Sequence, residues 1–147
     1  KQWPGQLILK GIQDVEDARL AADSGADALI VSNHGGRQLD GAPSSIRALP
    51  RIAEAVGHRV EVHMDGGIRS GQDVLKAMAL GAKGTYIGRA MLYGLGAMGE
   101  AGVTRALQVI HKELDLTMAF CGRTDIRQVD RSVLLDEAAP PAGFPAF

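Results

Sequence analysis

The sequence lacks the features that mark secreted and membrane-spanning proteins. Its single cysteine, Cys121, has no partner for a disulfide within the chain, which favours a reducing compartment inside the cell. No apolar run approaches the roughly 18–20 residues that a transmembrane helix requires, and the first residues hold no apolar stretch of a signal peptide. We therefore expect a cytoplasmic protein. Because Met is absent from position 1, we also expect residues before Lys1.

Neither sign of charge is in excess, since 16 Lys and Arg stand against 17 Asp and Glu. This balance gives no electrostatic reason to expect nucleic acid or acidic lipid as the partner. The 147 residues are 46% hydrophobic, which is enough to bury the core of one domain. We expect that domain to span residues 1–136, followed by an Ala- and Pro-rich tail, 137–147.

Short apolar runs alternate along the chain with longer stretches of helical periodicity. Predicted strands cover residues 7–11, 28–32, 59–65 and 85–87. Predicted helices begin at Asp14, at Ser44 or Ser45 and at Ser70, and two more follow at 90–95 and 100–120. Pro50 should kink the second helix or delay its start. The mixed charges of residues 123–131 indicate a solvated C-terminal helix.

The alternation of strands and helices implies parallel strands and leaves two architectures open. One is a doubly wound sheet; the other is half of a (β/α)8 barrel, since a whole barrel takes roughly 200–250 residues or more. Unusual residues follow every predicted strand, namely Lys10, 32–37, 65–69 and 88–89. Function at the carboxyl end of each strand is typical of a barrel, whereas an open sheet concentrates it at one switch point. We therefore favour the half-barrel.

Two successive strand ends carry glycine and arginine, in the sequences Asp65-Gly66-Gly67-Ile68-Arg69 and Gly88-Arg89. Glycine lets backbone N–H groups approach an anion, and the following helix adds the positive end of its dipole. Arginine offers a fork of donors that matches phosphate oxygens. Together the two loops predict a phosphate site, although either one alone fits a tight turn with a solvated arginine equally well.

The loop of residues 32–40 places His34 two residues beyond a strand, with Arg37 close behind it. His34 is suited to accept a proton at a barrel mouth, and Arg37 can clamp a carboxylate. Lys10 can stabilise an anionic form of a bound ring system. A lone strand-end lysine or loop histidine is ordinarily just solvated, but the glycines around His34 weigh against that. Tyr93 is expected to pack, and His63 to make a buried contact with Glu61, which shares its strand face.

These motifs resemble the FMN-dependent L-2-hydroxy-acid oxidase and dehydrogenase family, which includes glycolate oxidase, cytochrome-type L-lactate dehydrogenase and mandelate dehydrogenase. The resemblance runs from about Leu7 to Leu135 and is most specific in residues 32–40. It implies an α/β fold of the TIM type, a (β/α)8 barrel of which this chain is the C-terminal half, strands five to eight. It further implies FMN-dependent oxidation of an L-2-hydroxy acid (lactate, glycolate or mandelate class) to the 2-oxo acid, without a metal.

The resemblance also implies residue roles. His34 would be the catalytic base, and Arg37 would bind the substrate carboxylate. Lys10 would stabilise reduced, anionic flavin, and Ser32 would hydrogen-bond the flavin. The other FMN contacts would come from the two glycine-arginine loops: Asp65, Gly66, Gly67, Ile68, Arg69, Gly88 and Arg89.

The first half of such a barrel has no counterpart here, so we expect an exposed apolar sheet face and two open edges. The expected partner is the N-terminal half-barrel or a second copy. For the full-length enzyme the resemblance implies a homo-oligomer, with peripheral membrane association as an alternative to a purely cytoplasmic location. Two other hypotheses stay open. One is a different FMN- or phosphate-binding barrel enzyme, which leaves His34 with Arg37 unexplained; the other is a non-catalytic phosphate-binding half-barrel.

Overall fold

The computed structural model describes residues 3–135, in which strands and helices alternate. Its elements are β1 (Ile8–Ile12), α1 (Val15–Asp23), β2 (Ala28–Val31), α2 (Ser45–Val56), β3 (Glu61–Met64), α3 (Gly71–Ala79), β4 (Gly84–Thr85) and α4 (Arg89–Phe120). Single turns of 3₁₀ helix lie at His34–Gly36, Ile126–Gln128 and Arg131–Val133. The predicted tail, 137–147, lies outside the described residues. Within residues 3–135, no helix is both long enough and apolar enough to span a bilayer.

The four strands form one parallel sheet in the order β1-β2-β3-β4. The register places Lys10 beside Ile30, and Ile30 beside His63. Because parallel strands share one direction, all four carboxyl ends meet at the same edge of the sheet. The predicted α/β class with parallel pairing is confirmed, and every loop that carries a predicted site residue leaves this edge.

The two faces of the sheet differ because side chains alternate along each strand. Leu29, Val31, Val62 and Met64 are buried in one apolar core with the helices. The alternate positions form the other face: Ile8, Lys10, Ala28, Ile30, Ser32, Glu61, His63 and Asp65. This face is mixed, because Glu61 and His63 lie on it beside Ala28 and Ile30. Ala28 and Ile30 are buried and Ile8 is exposed, so the expected exposed apolar face is confirmed only in part. In the described chain, β1 and β4 are both edge strands.

The helix starts follow their capping residues. The Asp14 carboxylate accepts hydrogen bonds from two backbone N–H groups of the first turn of α1, and Ser70 and Asp73 form a reciprocal capping box on α3. α2 begins at Ser45 and continues through Pro50 to Val56. The predicted late start at Pro50 is therefore wrong.

α4 consists of two helical arms, as predicted from residues 90–95 and 100–120. The backbone leaves helical geometry at Met98 and Gly99, where Gly99 has a φ of 60°. The arms fold against each other through glycines, since a Cβ placed on Gly94 would lie only 2.4 Å from the carbonyl oxygen of Gly102. The second arm also packs closely on α3, where a Cβ on Gly71 would lie 1.9 Å from the backbone nitrogen of Leu114.

The segment after α4 is not the predicted solvated helix. It forms two short 3₁₀ turns, begun by the side chains of Asp125 and Asp130, which accept backbone N–H bonds. Val129 between them is buried in a second apolar cluster with Leu75 and Ala79 of α3. A hydrogen bond from Arg127 lowers the pKa of Asp125, and one from the Ser132 hydroxyl lowers the pKa of Asp130. The charged pattern caps turns and does not mark one face of a helix.

Candidate active site

The loops at the carboxyl ends of the strands line an open depression with a volume of about 590 Å³. This volume lies within the usual range for small-molecule sites. The predicted site residues, with the exception of Ser32, line it: Lys10, His34, Arg37, Asp65, Gly66, Gly67, Ile68, Arg69, Gly88 and Arg89. All four strand ends therefore contribute to one concave site, as a barrel mouth requires.

Lys10, Ser32 and Asp65 form a polar network on the open face, where the strands end. The Lys10 ammonium donates to the Ser32 hydroxyl at 2.8 Å and pairs with Asp65 Oδ2 at 2.7 Å. Ser32 is buried and lies beneath the depression rather than in its wall. The other carboxylate oxygen, Asp65 Oδ1, is buried and has no hydrogen-bond partner within the described chain. A buried carboxylate oxygen of this kind calls for a donor.

The loop that carries His34 is held in an unusual conformation. Among residues 3–135, His34 is the only non-glycine residue with a positive φ, at 53°, a conformation that costs roughly 1–3 kcal/mol. Its backbone N–H donates to Ser32 Oγ at 3.0 Å, and the next N–H, of Gly35, donates to Asn33 Oδ1 at 2.9 Å. The His34 side chain is exposed. The loop therefore presents the imidazole to the depression on a backbone fixed by side chains beneath it.

The glycine-arginine loops present free backbone donors. Gly66 and Gly67 have φ values of 85° and 87°, which L-residues with a Cβ adopt only with strain. Within residues 3–135, the N–H groups of Gly67, Ile68 and Gly88 donate to no backbone carbonyl. Such unpaired N–H groups beside two helix N-termini are the donors that a phosphate group requires.

Arg89 joins the glycine-arginine loop after β4 to the His34 loop. Its Nη2 donates to the Gly35 carbonyl oxygen at 3.0 Å. A guanidinium group has five N–H donors, so the others can still contact an anion in the depression. The exposed Arg69 lines the same depression, together with its neighbour Ile68.

Three structural features of the site region differ from the sequence-based expectations or were not expected. Tyr93 is 73% exposed and lines the depression, so its expected packing role is wrong. His63 does contact Glu61, at 3.1 Å, but the Glu61 side chain is 70% exposed, so the expected contact exists without being buried. Asn33, within the His34 loop, binds Ser45 at the start of α2, a contact that the sequence did not predict. For Tyr93, the sequence held one indication that it faces the site. It lies four residues after Arg89, which is one helical turn away.

Residues 1–136 match the family of FMN-dependent dehydrogenases. The chain belongs to this family. It is 59% identical over 133 residues to the L-lactate dehydrogenase of Caulobacter sp. (strain K31), a match that covers 90% of this chain and 35% of that protein. It is 49% identical over 149 residues to the pre-mycofactocin synthase of Mycolicibacterium smegmatis, covering 97% of this chain and 37% of that protein. The chain thus spans little more than a third of the length of these relatives.

Solved structures of mandelate oxidase are similar in fold. The one with benzoyl-formic acid matches at a TM-score of 0.85 and 46% identity, over 88% of this chain and 38% of that chain. Another, with a monooxide FMN adduct, matches at a TM-score of 0.84 over 88% of this chain and 41% of that chain. The chain therefore has the fold of part of a TIM barrel of this family.

Proposed function

We propose that this chain is the C-terminal half, strands five to eight, of a barrel enzyme that oxidises an L-2-hydroxy acid to the 2-oxo acid with FMN. One observation carries the proposal: His34, Arg37 and Lys10 line the same depression as the two glycine-arginine loops. Membership of the FMN-dependent dehydrogenase family supports the cofactor. The L-lactate dehydrogenase and mandelate oxidase relatives support the substrate class.

The residues present fit FMN. The unpartnered Asp65 Oδ1 would accept a hydrogen bond from a ribityl hydroxyl group. The free N–H groups of the glycine-arginine loops, with Arg69 and Arg89, would hold the phosphate. Lys10 uses one N–H for Ser32 and one for Asp65. Because an ammonium group has three N–H donors, one remains for the ring system. Ser32 would form a hydrogen bond with the flavin.

Each side chain of the site has a separate task in this proposal. Bound FMN supplies the redox chemistry, since it accepts the two electrons that the substrate loses. His34 takes up one of the two protons that the substrate loses, a task that contributes typically 10²–10⁴-fold to the rate, and the other leaves with the electrons or passes to solvent. Arg37 binds the substrate carboxylate through its fork of donors. Lys10 places a positive charge where negative charge develops.

The partner proposed for this chain is the rest of the barrel. The relatives are nearly three times as long as the matched segment, and β1 and β4 are open edges in the described chain. As a free monomer, the chain is then expected to bind FMN weakly and to turn over slowly or not at all. The same proposal includes three further points. Residues 1–136 fold as one unit, the completed enzyme associates with itself, and its location is cytoplasmic or peripheral to a membrane.

A segment replacement tests this function. The matching segment of the Caulobacter sp. L-lactate dehydrogenase is replaced by this chain, and FMN reduction by L-lactate, glycolate and mandelate is followed by stopped-flow absorbance. We expect reduction by at least one of these acids. Substituting His34→Asn, which tolerates the left-handed backbone, should lower the reduction rate by at least 10²-fold while FMN stays bound.

A second substitution separates substrate binding from chemistry. Arg37→Lys should mainly weaken binding of the acid, because a point charge does not replace a fork of donors. A replacement enzyme that holds FMN but reduces it with none of the three acids would refute the proposed reaction. It would favour the non-catalytic phosphate-binding half-barrel or a different FMN enzyme. Loss of FMN in the unsubstituted replacement would refute the cofactor assignment.

A further inference from the structure

The loop after β2 and the loop after β3 meet at Asn33, Ser45 and Gly66. The Asn33 backbone N–H donates to Ser45 Oγ at 3.1 Å, and its side-chain Oδ1 accepts the Gly35 N–H at 2.9 Å. Asn33 therefore connects the backbone on both sides of His34 to Ser45, through its own N–H and through its bond with the Gly35 N–H. Gly66 lines the depression described above, whereas Asn33 and Ser45 do not.

Ser45 is placed for a contact between elements and not for capping its own helix. It is 2% exposed and is the first residue of α2. The N-cap position before it belongs to Ser44, which is exposed and whose side chain makes no capping bond. A buried hydroxyl requires a hydrogen-bond partner, and Ser45 finds that partner in the loop that carries His34.

Gly66 closes the junction from the other side. A Cβ on Gly66 would lie 2.9 Å from both Asn33 Oδ1 and Ser45 Oγ. The two side-chain oxygens therefore pack directly against the Gly66–Gly67 turn, which begins the glycine-arginine loop after β3. Asn33, the residue before His34, therefore lies between His34 and the Gly66–Gly67 turn.

We propose that Asn33 and Ser45 are positioning residues that fix His34 relative to the Gly66–Gly67 turn. This inference rests on the proposed function, in which His34 is the base and the turn holds the cofactor. The left-handed backbone of His34 needs such support, since a strained residue persists only when its surroundings over-determine it. The Arg89 contact to Gly35 supports the same loop from a third side.

Amide hydrogen exchange in the 147-residue chain, read by NMR, tests the positioning directly. Asn33→Ala should speed exchange of the Gly35 amide tenfold or more, whereas Asn33→Asp, which keeps an acceptor oxygen, should stay within threefold of the parent. Ser45→Ala should speed exchange of the Asn33 amide tenfold or more. Ser44→Ala, the matched control, should change neither. Unchanged exchange in Asn33→Ala or Ser45→Ala, or an equal rise at the core amides of Leu29 and Val62, would overturn the proposal.

Kinetics in the segment-replacement enzyme test the consequence. Ser45→Ala should lower the rate of FMN reduction tenfold or more, with FMN Kd and substrate KM within threefold of the parent, and Ser44→Ala should leave the rate within twofold. A Ser45→Ala enzyme with the parent rate, or one whose rate falls only in proportion to lost FMN, would overturn the proposal. If the parent enzyme reduces FMN with no acid, the proposed function fails, and the exchange result alone decides the positioning.

Discussion

Gly66 and Gly67 allow steric contact to be separated from backbone strain. Their φ values are 85° and 87°, but a Cβ on Gly66 meets two oxygens at 2.9 Å, whereas a Cβ on Gly67 meets nothing within 4 Å. Alanine at either position bears the cost of a left-handed residue, about 1–2 kcal/mol. Only Gly66→Ala must also move Asn33 Oδ1 and Ser45 Oγ, and each of these accepts a backbone hydrogen bond.

The difference between the two variants follows from those hydrogen bonds. Two bonds worth about 0.5–1.5 kcal/mol each give an extra loss of roughly 1–3 kcal/mol for Gly66→Ala. Urea denaturation of the chain, with the same slope assumed for both variants, measures this difference in the free energy of unfolding. Removing the Ser45 hydroxyl in the Gly66→Ala background should make the combined loss smaller than the sum of the single losses. Equal losses for Gly66→Ala and Gly67→Ala would refute the junction.

Two further predictions concern packing and charge. Gly71→Ala should cost roughly 3 kcal/mol or more of unfolding free energy, because its Cβ would lie 1.9 Å from the Leu114 nitrogen. The control Gly96→Ala, with nothing within 4 Å of its Cβ, should stabilise the helix by about 0.5–1 kcal/mol. Urea denaturation that shows similar losses of unfolding free energy for Gly71→Ala and Gly96→Ala would contradict this prediction. Lys10→Met should cost about 1–2 kcal/mol in the same assay, because it leaves the Asp65 carboxylate short of a cation while the exposed lysine limits the pair's value. An unchanged midpoint would show the ion pair to be energetically neutral.

Periodicity and capping predicted the order and type of the elements from β1 to α4, but local turns and burial set their ends. The third strand was expected from Arg59, yet the backbone N–H groups of Arg59 and Val60 donate back to the Val56 carbonyl. That turn delays β3 until Glu61. α2 continues through Pro50 because residues on both sides, Leu49 and Ile52, are fully buried. Burial worth roughly 1.5–3 kcal/mol per side chain offsets the roughly 3 kcal/mol cost of an interior proline.

The residues of the candidate site could be predicted where they belong to a recognisable motif. They could not be predicted where only tertiary packing brings them to the site. His34, Arg37 and the glycine-arginine loops lie in short strings whose residue types suggest their chemistry. Asn33 is part of such a string, but its link to Ser45 joins residues twelve positions apart. Nothing in the pattern distinguishes the buried Ser45 from the exposed Ser44 beside it. That distinction depends on how α2 docks beneath the loop, which is a property of the folded chain.

The open face of the sheet gives a physical reason for the proposed dependence of the site on further protein. The Lys10 side chain is 46% exposed while its partner Asp65 is 19% exposed, so water screens the lysine and weakens its electrostatic effect on any bound group. Covering this face would lower the local dielectric and strengthen each charge contact without changing a residue of this chain. FMN should therefore bind at least tenfold more tightly to the segment-replacement enzyme than to the 147-residue chain, as measured by flavin fluorescence. Equal affinity would mean that this chain alone provides the whole cofactor environment and needs no second half of a barrel.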